Sequence, residues 1–128
     1  MGIEKNTHFL HRSKAIASYQ AARLLLHSEG LALPAYMLLK ESLRATLAYI
    51  CEDSYDKVYE EKSRLKNLLD SVPSGILEEG QEDVFRKLLE LQDAGLSTIM
   101  VADYTDLKDI KRNLKRLIAN TFGPDSIQ

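Results

Sequence analysis

Wound as a helix, the segment 34–52 is apolar around most of its circumference. Tyr36, Leu39, Leu43, Leu47 and Ile50 fall on one arc, and Leu38, Ala45 and Tyr49 on another. Lys40, Glu41 and Arg44 leave only a narrow polar strip. A helix of this kind is stable in water only when other elements wrap it, so it must be the central one. Pro34 suits its first turn, where the missing N–H costs nothing. Ser42 and Thr46 lie on the apolar side, and their small size permits close approach of a second helix.

The rest of the chain supplies the wrapping. A first helix is expected over about 7–28, with Asn6 capping its start and Gly30 its end. It carries two apolar rows. One holds Phe9, Ile16, Ala17 and Leu24; the other holds Ala15, Tyr19, Ala22 and Leu26 at 4, 3, 4 spacing. A shorter helix over about 58–72 turns Leu65, Leu68, Leu69 and Val72 inward and stops at Pro73-Ser74-Gly75. A fourth, over about 81–100, carries Val84, Phe85, Leu88, Leu91 and Leu96, with Gly95 a weak point. Residues 98–101 are partly β-branched, but a lone strand has nothing to pair with, so they are taken as a helix end. The last helix begins at Asp103, with Asp106 in a capping-box-like position. Leu107, Ile110, Leu114, Leu117 and Ile118 form its stripe, and Gly123-Pro124 ends it. The expected fold is all-α, an up-and-down four-helix bundle with one additional short helix. It forms a single domain over 1–128, with its core at about 7–122.

A chain of 128 residues can bury a core without disulfides or metal. Net charge is −2, which argues against extensive contact with nucleic-acid phosphates and leaves room only for weak binding at a local patch. No apolar run approaches the ~20 residues that span a bilayer. The first residues lack the apolar stretch of a signal peptide, and Asn6 stands where a myristoylation signal has Ser or Thr. A cytoplasmic protein is expected.

No cluster announces a reaction. His8 and His11 sit at i, i+3, a spacing that can share a metal, but Glu4 is the only acidic neighbour in sequence. Two solvent-exposed histidines and no metal or cofactor are expected. Cys51 lies beside Glu52 and Asp53, the wrong field for a reactive thiolate, and is expected to pack as a small hydrophobe. No serine sits in a strand–turn–helix elbow, and no glycine-rich phosphate loop occurs. One charge pattern stands out. Lys108, Lys111, Arg112, Lys115 and Arg116 line one side of the last helix, opposite its apolar stripe. They form either a surface for phosphate or an acidic partner, or a solvated face whose cations suit a helix C-terminus.

Several features together resemble the HEPN family of small helical proteins. The first helix carries Ala15, Tyr19, Ala22 and Leu26 in the run Ala-x-x-Ser-Tyr-x-Ala-Ala-x-Leu-Leu-Leu. A link with Gly30 leads to a second helix with an internal acid, Leu39-Lys40-Glu41-Ser42-Leu43. A third, shorter amphipathic helix follows, and Ala102-Asp103-Tyr104 precedes the last one. The resemblance implies the fold, a habit of dimerising, and a nucleotidyltransferase as a possible partner. Its catalytic members cleave RNA with Arg-x4–6-His before the last helix, and this chain has neither arginine nor histidine over 96–101. No residue inherits the catalytic role. The expected function is therefore a non-catalytic interaction module, a homodimer or a companion to another protein. A small-ligand binder reached by Tyr19, Tyr36 or Tyr49 is the second reading, and a divergent ribonuclease the third. The surplus apolar surface of the first two helices points to a homodimer through Ala15, Tyr19, Ala22 and Leu26.

Overall fold

A computed structural model describes residues 2–27, 32–59, 63–94 and 104–127. Five α-helices and no strand occur among them: α1 (Gly2–Leu26), α2 (Ala32–Tyr55), α3 (Leu65–Ser71), α4 (Gln81–Ala94) and α5 (Tyr104–Phe122). A 3-10 turn, Pro124–Ser126, follows α5.

α2 lies at the centre, as its all-round apolarity requires. Leu39, Leu43, Ala45, Leu47, Ala48 and Cys51 are fully buried. α1 runs antiparallel to it, with Ala15 beside Ser42 and His8 beside Glu52. The small residues at the crossing set the distance. Ser42 donates to the Ala15 carbonyl at 2.6 Å, and Thr46 donates back to the Ser42 carbonyl at 2.8 Å. Both hydroxyls are fully buried yet satisfied. α5 packs on α1 and α2, α3 on α2, and α4 on α3 and α5. Leu107, Ile110, Leu114, Leu117 and Ile118 of α5 are buried as their spacing demands. Gly123, at φ 101°, ends α5 in a backbone conformation that favours glycine. Ile127 then folds back into the core.

The polar strip of α2 is tucked in. Arg44 is buried and, with Lys14 of α1, holds the Glu41 carboxylate. Burial pushes the Glu41 carboxyl up, but its bonds to Arg44 and Lys14 outweigh this and hold it below the usual range.

Three boundaries differ from expectation. α1 begins at Gly2, so Asn6 lies inside the helix and does not cap it. α2 in turn runs on to Tyr55, and His8 and His11 pack against its last turns. The third helix begins at Leu65, not near Val58. Asp56, at φ 51°, breaks the chain after α2, and side chains of α1 and α2 take the backbone polar groups of Tyr59. Gly30, Gly95, Leu96, residues 98–101 and Asp103 lie outside the described residues.

The two rows of α1 also exchange roles. Ala15, Tyr19, Ala22 and Leu26 are buried within the one chain, Ala15 at the crossing with Ser42 of α2 and the other three in the core. They have no surface left for a second copy, which corrects the expected interface. Of the other row, Phe9, Ala17 and Leu24 face outward, while Ile16 is partly buried against the core.

The Ser42 crossing should tolerate loss of a hydroxyl better than added bulk. Ser42→Ala is expected to cost about 1 kcal/mol. Ser42→Leu is expected to cost about 1–3 kcal/mol more by forcing α1 from α2. Urea unfolding of the two variants checks this; equal stability would contradict the close crossing.

Candidate functional site

The basic face of α5 exists, but not as a free row of five. Lys108, Arg112, Lys115 and Arg116 are exposed and Lys111 half-buried. Arg112 pairs with Asp109 one turn back, and Arg116 reaches Glu78. What remains is a lysine cluster around Lys111, enlarged by Arg23 of α1. Burial, then the nearby Arg112, Lys115, Arg23 and Lys108, hold the Lys111 ammonium below the usual lysine range. The charged form of Lys111 is thus disfavoured by folding: it costs stability at low and neutral pH, and that cost fades as the pH rises past its folded pKa.

The histidines are not solvent-exposed, and their acidic partner is not Glu4. His11 is 1% exposed, and His8 is partly covered. Both point at Glu52, buried on the last turns of α2. His8 Nδ1 donates to Glu52 Oε1 at 2.8 Å. His11 Nε2 lies 3.2 Å from Glu52 Oε2 and 2.8 Å from the Tyr59 carbonyl oxygen, so that nitrogen carries the proton. The Tyr59 N–H donates to Glu52 Oε2 at 2.9 Å. One carboxylate therefore ties together α1, α2 and the segment leading to α3. Charge-assisted bonds of this kind are the strong ones. His11 Nδ1 is buried without a partner.

An aromatic ladder extends the cluster towards α5. The His8 ring stacks on Tyr49 at 3.6 Å and 15°, and Tyr49 meets Phe122 edge-on at 4.7 Å. The Arg12 guanidinium sits over Phe122 at 5.9 Å. Together with Phe9 and Thr121 these residues line an open depression of about 400 Å³.

A carboxylate-oriented imidazole is half of an acid–base pair. Asp53 lies 4.0 Å from His8 Nε2, so two acids flank the place a phosphate would occupy. Cys51 is buried, and burial pushes its thiol up, away from the thiolate. Among the described residues no three His, Cys, Asp or Glu side chains are placed to hold a metal ion. No helix among them is long and apolar enough to cross a membrane. Tyr19 and Tyr36 are packed in the core, the latter donating to the Leu88 carbonyl; Tyr49 borders this depression and another open one of about 470 Å³.

The third feature is the outer face of α1. Phe9 is 59% exposed and Leu24 66%, with exposed Ser13, Ala17 and Gln20 between them. No charge interrupts this row. Lys14 at its margin is drawn to Glu41, and Arg12 leans over Phe122.

Sequence reasoning misses Glu52 because, along the chain, it is only a neighbour of Cys51. The available signal was a carboxylate on a helix otherwise too apolar to present it to water, with two histidines on the helix that pairs with it.

Comparison with protein-family models, with curated proteins and with solved structures found no match.

If Glu52 is the clasp, Glu52→Gln should cost about 2 kcal/mol, because an amide cannot accept from three donors in this geometry. Hydrogen exchange at the Tyr59 amide should accelerate with it. Unchanged exchange at Tyr59 would show that Glu52 does not hold this segment.

Proposed function

We propose that the chain is a non-catalytic helical interaction module, a HEPN-like four-helix bundle with one short extra helix, and that it works as a homodimer. The observation that carries this reading is the outer face of α1. It runs uncharged for four turns, from Phe9 to Leu24, on a chain of which 28% is charged. A solvated helix face is normally charged, and this one instead carries Phe9 and Leu24 exposed at its ends with no charge between them. The non-catalytic part rests on the sequence, which has neither arginine nor histidine over 96–101. The open form of the depressions beside Tyr49 speaks against an enclosed ligand pocket. A nucleotidyltransferase, which the resemblance suggests, would compete for the same face.

Sedimentation equilibrium across the micromolar range should give a mass rising from 14.5 kDa towards twice that value. Ala17→Glu sets a charge in the middle of the face and should weaken association at least about tenfold, about 1.4 kcal/mol. A mass fixed at the monomer value would overturn the homodimer, and an unaffected Ala17→Glu dimer would place the interface elsewhere.

A further inference from the structure

We propose that Arg23 of α1 and Lys108, Lys111 and Lys115 of α5 form a binding site for the dianionic phosphate group of a small phosphorylated molecule. This goes beyond the homodimer reading and does not depend on it.

The site stands on how two helices are placed. α5 packs on α1, and Arg12 of α1 sits over Phe122 of α5 at 5.9 Å. Eleven residues further along α1 stands Arg23, and eleven residues back along α5 stands Lys111. Helices running in opposite directions in this register set Arg23 beside Lys111, and Arg23 is indeed among the charges that act on the Lys111 ammonium. Lys108, Lys111 and Lys115, spaced by three and four residues, share one strip of α5. The two central cations, Arg23 and Lys111, are half-buried, and Lys108 and Lys115 stand exposed at the rim.

This cluster lacks a counter-charge. Other cations nearby are matched: Arg112 by Asp109, Arg116 by Glu78 and Lys87 by Asp106. Among the described residues no acid pairs with Lys108, Lys111 or Lys115. Yet the chain has acids to spare, with a net charge of −2. Folding therefore presses cations together around a half-buried ammonium and leaves them uncompensated. Groups perturbed by burial and by like charges in this way concentrate at functional sites. An anion seated among the four cations relieves the crowding.

The form of the cluster selects the anion. A nucleic-acid backbone is held by an extended row of cations, one for each phosphate neutralised. Here the row is cut short, because Arg112 and Arg116, which would extend it along α5, are taken by Asp109 and Glu78. What remains gathers around Lys111 from two helices. A compact dianion fits that arrangement. A phosphate monoester carries close to two charges at neutral pH and offers three strong acceptor oxygens. Each lysine ammonium brings a point charge with three donors, and the Arg23 guanidinium adds a donor fork.

Inorganic phosphate is the probe, followed by backbone amide resonances at about pH 7.5, where it is mainly dianionic. Chloride keeps the ionic strength constant, so that screening alone changes nothing. Saturable shifts are expected at Arg23, Lys108, Lys111 and Lys115, with a dissociation constant on the order of a millimolar or tighter. Lys111→Met keeps the aliphatic stem and removes the charge. It should weaken phosphate binding at least about tenfold. It should also resist urea at least as well as the parent, since folding disfavours the charge it removes. Lys108→Gln, at the exposed rim, should weaken binding without touching stability, and Lys66→Met on α3 should change neither. Phosphate binding that survives both Lys111→Met and Lys108→Gln would overturn the proposal, as would the absence of any saturable shift. A single-stranded oligonucleotide without a terminal phosphate that shifts Arg112 and Arg116 as well, where inorganic phosphate shifts nothing, would replace it with a nucleic-acid face.

Discussion

Everything in this structure depends on how closely α1 can lie along α2. α2 has too much apolar surface for one neighbour, so it must be enclosed, and enclosure begins where Ser42 meets the Ala15 carbonyl. A hydroxyl at that crossing lets the backbones approach while its own hydrogen bond is kept. Once α1 is seated, Ala15, Tyr19 and Ala22 vanish into the core, and α5 closes over the seam with Leu107, Ile110, Leu114 and Ile118. Glu52 fixes the far end of the same pair. Its carboxylate holds two imidazoles and the Tyr59 amide, so the chain leaving α2 is turned back against α1 before α3 begins.

That pairing also decides what the surface offers. Because one row of α1 is used up inside, most of the other is left outside, with Phe9 and Leu24 exposed. Charge is distributed to match. The lysines of α5 crowd around Lys111 on one side, acids gather near His8 and Glu52 on another, and the outer row of α1 carries none.

The helices were legible because their apolar spacing is strong and their punctuation plain. α2 as the central element, the stripe of α5 and the stop at Gly123 all follow from residue periodicity and one glycine. What was not legible depended on partners distant in sequence. Ala15, Tyr19, Ala22 and Leu26 have the spacing of a helix face, but spacing cannot tell which of two apolar rows meets α2 and which meets water. Nor can it tell that His8 and His11 find Glu52, more than forty residues away. The late start of α3 has the same origin, since Tyr59 gives its backbone bonds to side chains of α1 and α2 rather than to a helix.

The central proposal is that the outer row of α1, and not the buried inner one, is where a second copy would meet this chain. The most direct measurement is a dilution series followed by backbone amide resonances. The account predicts concentration-dependent shifts concentrated at Phe9, Ser13, Ala17, Gln20 and Leu24. Shifts confined to the lysines of α5, or spectra that do not change with concentration, would contradict it.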